Sequence, residues 1–429
     1  MKKILLILAL VLSLSLLAAC GSESTDSDKT SAQTEEEGGT DAEIGTMAED
    51  DTTSPEKEEP IRLTEEERAK YYKVVEFDLP EGNFRDVIVE EMRKYASLEW
   101  TAAENFSMNE IIGNNDWTVA LDYKKGTKYT GLPYTNYFVN YDTFTGLLVD
   151  GTFTSGGKGW RTAPGMDCWS AVRCAVQQFE PLEGWTADWV PGRDTFALEM
   201  VGTYKASKDA ISTNAICQEN GRDTMYEAYM SLKKGDIVYR KSFDKKDYLH
   251  IRVVVEEPTI VKTAAGKIIP SRSYVKTIEQ TNAFDAKRSD GVKTNWYVDH
   301  QYSLVSLYDT GYVPIRPKSY SKSIGEMEVP YIVLDNEITP SVLAKGAFSS
   351  TVKSNFPLRF VTVEIFDKDG NSVVYDEQGG LQDIFSYSLR KYFTDTFKGL
   401  AHGEQYTFVL TSGIARGNAE LARVEFTYN

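Results

Sequence analysis

A chain of 429 residues with 41 % hydrophobic side chains is long enough for two or three folded domains. A net charge of −17, with no basic stripe anywhere, argues against nucleic-acid binding. Three histidines and four cysteines, none at metal-ligand spacing, imply no metal and no cofactor, and leave few options for chemistry that needs an imidazole.

Lys2 and Lys3 precede an apolar run from Ile4 to Leu16 that only serines interrupt. The run is short and a polar tract follows it directly, so residues 1–20 read as a secretory signal peptide rather than a spanning helix. Leu17-Ala18-Ala19-Cys20 resembles the bacterial lipobox. The resemblance implies cleavage before Cys20 and a diacylglycerol thioether on its sulfur. Each buried methylene of such an anchor contributes about 0.8 kcal/mol, so Cys20 is expected to hold the chain on the extracytoplasmic face of the cell membrane. The alternative is a plain signal peptide that contains a cysteine.

Residues 21–60 carry 14 acidic and 2 basic side chains and no aromatic residue. A segment of that composition cannot bury enough apolar surface to fold, and its self-repulsion extends it. Residues 21–62 are therefore expected to be a disordered acidic linker. With Cys20 lipidated, Cys168, Cys174 and Cys217 remain, so one thiol must stay unpaired.

Folded sequence begins near Leu63. Phe84, Val87, Ile88, Met92 and Tyr95 recur at helical spacing behind Asn83, a good N-cap. After a Tyr/Gly/Asn-rich region, Val172, Ala175, Val176 and Phe179 form one helical face behind Asp167, which puts Cys168 in the first turn of a helix. A second helix is expected from Asp223 to Leu232, stopped by Gly235. Strands follow at Asp236 to Tyr239, Leu249 to Glu256 and Ser273 to Thr281, the last two joined through a turn at Ala265-Gly266. From about Val329 the pattern changes to short β-runs at 360–366, 372–375, 405–410 and 421–428, with Asp369-Gly370 as a hairpin turn. Leu400 to Tyr406 resembles the tyrosine corner of immunoglobulin-like domains.

A thiol acts as a nucleophile in its thiolate form, which a helix N-terminus favours through its unpaired N–H groups. An imidazole must take the proton, and a third polar group must fix that imidazole. Cys168 fits the first role and His250 the second. Glu279 or Gln280 fits the third, since alternation lets only one of them face His250, and Glu279 is preferred.

Asp167-Cys168 opening a helix, then Gly235-Asp236-Ile237-Val238-Tyr239, then His250-Ile251-Arg252-Val253-Val254, resembles the NlpC-type papain-like cysteine peptidases and amidases of bacterial cell walls. The resemblance covers residues 125 to 285. It implies hydrolysis of an amide bond, most often in peptidoglycan stem peptides, through a thioester. Trp169-Ser170 replaces the family's Ser-Gly, and Arg252 stands where a glycine is common.

The expected architecture is thus α+β: a papain-like domain over residues 63–325, then an all-β immunoglobulin-like sandwich over 326–429. Catalytic roles fall to Cys168, His250 and Glu279. Trp169 and Arg252 are expected to contact substrate, Arg252 by pairing with a carboxylate. Expected partners are the membrane, through the lipid, and a cell-wall peptide or glycan. Each residue also has a plain reading. Cys168 and Cys174 suit a core, Cys174 also a disulfide to Cys217, and the tryptophans 160, 169, 185 and 189 suit core packing. Two other functions compete. One is a non-catalytic envelope-binding lipoprotein with an inactive papain-like domain. The other is a transglutaminase-like enzyme, which would need Asp285 beside His250.

Overall fold

The computed structural model describes residues 58–112, 117–186, 189, 191, 197–242 and 249–429. The expected signal peptide, Cys20 and all but the last five residues of the expected linker lie outside the described residues. Glu58 to Arg62 belong to the folded body. The Ile61 N–H donates to the Met327 carbonyl at 2.8 Å, and Arg62 pairs with Glu76 at 3.0 Å.

In chain order the elements used below are β1 (Lys73–Glu76), α1 (Phe84–Ser97), α2 (Cys168–Val176), β2 (Leu198–Met200), α3 (Thr213–Met230), β3 (Ile237–Lys241), β4 (Leu249–Val254), β5 (Tyr274–Gln280), β6 (Trp296–Ser303), α4 (Leu304–Thr310) and β7 (Val313–Pro317). Helix α1 follows from its apolar spacing: Phe84, Val87, Ile88, Met92 and Tyr95 are all buried, and the Asn83 side chain accepts from the Arg85 N–H. Burying each such side chain contributes about 1.5–3 kcal/mol. Helix α3 starts ten residues before the expected Asp223. Ser212 caps it, and Gly221 at φ +74° breaks it into two segments, of which only the second was apparent in the apolar pattern.

Strands β2 to β7 form one antiparallel sheet in the order β2-β7-β3-β4-β5-β6. Helices α1 and α2 lie against β4 and β5, and α3 lies against β3 and β7. Ile237, Ile251, Val253 and Ile278 are fully buried in the core between them. The Lys262–Arg272 connection folds back as expected, with Gly266 at φ +80° in its turn.

Toward the C-terminus follow β8 (Tyr331–Leu334), β9 (Thr351–Ser354), β10 (Phe360–Asp367), β11 (Ser372–Gln378), β12 (Ser386–Ser388), β13 (Gln405–Ile414) and β14 (Gly417–Thr427). They make two four-stranded antiparallel sheets, β1-β8-β9-β12 and β11-β10-β13-β14, that bury a second cluster including Ile332, Val352, Val363, Phe408 and Leu421. Strand β1 comes from the N-terminal end of the folded chain, so the two-sheet part is not built from residues 326–429 alone. The Tyr406 hydroxyl accepts from the Ala401 N–H at 3.0 Å, tying the corner to backbone five residues upstream.

The two parts share a polar junction on α2. Arg173 pairs with Asp383, Gln177 accepts from Arg359, and Gln178 donates to the Ala415 carbonyl at 2.9 Å. Residues Lys57–Asn429 form one unit that mixes helices and strands, α+β in class. No helix among the described residues is long and apolar enough to cross a membrane.

Candidate active site

Cys168 is the first residue of α2. Asp167 caps the helix, its carboxylate accepting from the Ser170 N–H at 2.7 Å while the Ser170 hydroxyl accepts from the Asp167 N–H at 2.9 Å. The thiol meets the sheet where β4 and β5 part. Their ladder runs through Val253–Ile278 and Val254–Thr277 and stops short of His250 and Gln280.

Tyr134 closes the other side. Its hydroxyl lies 3.9 Å from Cys168 Sγ. A parallel bridge to Met166 places it there, with the Thr135 N–H donating to the Met166 carbonyl at 2.9 Å and the Met166 N–H to the Pro133 carbonyl at 3.0 Å. Gly165 allows that approach, because a Cβ there would overlap the Pro133 carbonyl oxygen and the Thr135 side chain.

The sheet brings His250 and Glu279 together. Continuing the β4–β5 register sets Glu279 opposite Arg252 and diagonal to His250, within side-chain reach. His250 Nε2 meets Glu279 Oε2, and Arg252 Nε donates to the same oxygen at 2.6 Å. The Tyr302 hydroxyl donates to Oε1. Burial alone would raise the Glu279 carboxyl, but the Arg252 charge and the hydrogen bonds from His250 and Tyr302 outweigh it and hold it at about 2. Glu279 is therefore an ionised, buried acceptor at neutral pH. Gln280 faces the other way, donating to the Leu132 carbonyl at 2.8 Å.

A cavity of about 480 Å³ opens beside this pair, lined among others by Tyr134, Arg240, His250, Glu279, His300 and Tyr312. His300, Tyr134, Tyr302 and Tyr312 were not singled out in the sequence. Only the two-residue alternation of His300 and Tyr302 on β6 could have linked those two, and nothing local marks the other pair.

Several placements correct the expectations. Cys168 is only 4 % exposed. Burial and the adjacent Asp167 push its thiol well above the ordinary range, opposite to the lowering expected at a helix N-terminus. Among the described residues no hydrogen bond joins Cys168 to His250. Trp169 is packed on Trp185 and near Tyr239 in the core and does not line the cavity. Arg252 does line the cavity, with its guanidinium engaged by Glu279 and lying over the rings of Tyr302 and Tyr312. Cys174 and Cys217 are buried free thiols, not a disulfide. Cys217 instead meets the Tyr312 carbonyl at 3.5 Å and the Tyr229 hydroxyl at 3.8 Å. Asp285 turns its carboxylate to the Lys287 N–H at 3.0 Å, whereas His250 is held by Glu279, so the condition for a transglutaminase-like site is not met.

Among the described residues no cluster of His, Cys, Asp and Glu could hold a metal ion. Comparisons with known protein families, with curated proteins and with solved structures find no match for this chain.

Proposed function

We propose that the chain is a membrane-anchored thiol hydrolase of the papain-like, NlpC-like kind, held by a lipid on Cys20 and acting on amide bonds of cell-wall peptides. The two-sheet C-terminal part is its immunoglobulin-like accessory region. The observation that carries the reading is the His250–Glu279 pair beside a cysteine that opens a helix. Glu279 holds Nε2, which leaves Nδ1, without a partner among the described residues, as the nitrogen that can take a proton.

In this reaction the Cys168 thiol loses its proton to His250 as sulfur bonds to the amide carbonyl carbon. The C–N bond then breaks, and the leaving amine takes that proton from His250. Water, deprotonated by the same imidazole, hydrolyses the thioester and restores the thiol. The Tyr134 hydroxyl, beside the sulfur at the start of α2, marks the place where the carbonyl oxygen would gain charge. The thiol is neutral at rest, so the proton moves only when substrate has displaced Tyr134 and His250 has turned to the sulfur.

A second reading is favoured by one observation: the thiol is buried and not bonded to His250. On that reading the same cavity binds wall peptide or glycan without cleaving it. Iodoacetamide labelling of Cys168 between pH 6 and 9 separates the two. A hydrolase is expected to label about tenfold more slowly once His250→Ala removes the base. Equal rates in parent and variant would leave the binding protein as the function.

A further inference from the structure

We propose that Arg252 is a positioning residue: it keeps Glu279 ionised so that His250 presents an unprotonated Nδ1 to the thiol. The idea rests on the hydrolase reading for its purpose, but not for its geometry.

Glu279 has almost no contact with water, and a carboxylate so placed takes up a proton unless a charge compensates it. The protonation state of Glu279 decides the tautomer of His250. An ionised Glu279 accepts hydrogen from Nε2 and leaves Nδ1 with its lone pair. A protonated Glu279 would donate to Nε2 instead, and the ring would carry its hydrogen on Nδ1, where it could accept nothing.

Arg252 is built to prevent that. It sits directly across the strand pair from Glu279, its Nε 2.6 Å from Oε2, and it is only 9 % exposed. Its guanidinium lies 3.6 Å from the Tyr302 ring centroid and 4.2 Å from that of Tyr312, a cation–π contact with each ring. Tyr302 serves twice, with its ring on Arg252 and its hydroxyl on Oε1. Three side chains, His250, Arg252 and Tyr302, thus clamp a single carboxylate. Lysine could supply the charge but neither the fork nor the stacking.

The test uses the intact chain labelled with 15N-histidine at pH 7.5. Three histidines make the spectrum simple, and His250→Ala assigns the relevant signals. The parent is expected to show His250 protonated at Nε2 and bare at Nδ1. In Arg252→Gln that pattern is expected to be lost, with hydrogen appearing on Nδ1 instead. Arg252→Lys, which keeps the charge, retains most of it. A parent-like pattern in folded Arg252→Gln overturns the proposal. Should Arg252→Gln fail to fold, the neutral double variant Arg252→Gln/Glu279→Gln decides. Recovery of folding shows that Arg252 answers the Glu279 charge, and failure of the double variant reduces Arg252 to packing and overturns the proposal. The spectra do not depend on whether Cys168 reacts, so a failed hydrolase reading and a failed Arg252 role are told apart.

Discussion

Asp167 and Glu279 are two buried carboxylates beside one thiol, and their surroundings drive them in opposite directions. Burial raises Asp167 to about 6 despite the N–H donors of its cap. A raised carboxylate binds its proton more tightly in the folded state, so its contribution to stability falls as pH rises from about 4 through 6. Glu279, held at about 2, contributes stability that is present above about 4.5 and lost as pH falls toward 2. Asp167→Asn keeps a capping side chain and removes the first titration. Relative to the parent, its unfolding midpoint is expected to rise between pH 4.5 and 7 in thermal melts. Its Cys168 should also label faster at pH 8, because the neighbouring negative charge that holds the thiol protonated is gone. A parent-like pH dependence of the midpoint would show that Asp167 does not titrate there. At this scale the place of Cys168 at a helix start and the facing of His250 and Glu279 are legible in the sequence, because a cap and a two-residue alternation are local. Tyr134, Tyr302 and Tyr312 escape it, because pairing between distant segments delivers them to the site.

Among the elements, the short parallel pairing of Tyr137–Phe138 with Pro164–Gly165 sets the stance of Tyr134. Gly165→Ala pushes a methyl group into the Pro133 carbonyl, and backbone must move to admit it. Overpacking of this kind costs about 1–3 kcal/mol. A drop in denaturant midpoint with an unchanged slope is the expected signature, together with faster labelling of Cys168 as Tyr134 gives way. Labelling at the parent rate would mean that Tyr134 does not guard the thiol. The strands from Ile237 to Gln280 were legible because β-branched residues alternate and a glycine turn separates two of them. Strands β1, β8, β9 and β12 were not. Each is three or four residues long, and each is stabilised by partners remote in sequence, so no periodic signal could build up.

For the molecule as a whole, the junction on α2 binds the two parts into one cooperative body. The buried Arg173 and Arg359 both depend on partners across it. A chain ending at Gly325 would strip β1 of its partner β8 and leave the Arg173 charge unanswered. That fragment is expected to lose its near-UV circular dichroism and its sharp melt. The full chain should unfold in one calorimetric transition, with calorimetric and van 't Hoff enthalpies in a ratio of about 1. Two resolved transitions would show that the parts fold independently. The boundary near Val329 is visible in the sequence as a change in residue pattern, but the dependence of each side on the other is not. Residues 58–62 add a mechanical consequence. Ile61 bonds to both Met327 and Val329, and the Glu58 carboxylate accepts from the Gly325 N–H, so the N-terminal strap is stitched to the connection between the two parts. Tension arriving from the N-terminal side would load these few stitches before it reached any strand bearing His250 or Glu279. They would act as a mechanical fuse, yielding first and leaving that sheet unstrained.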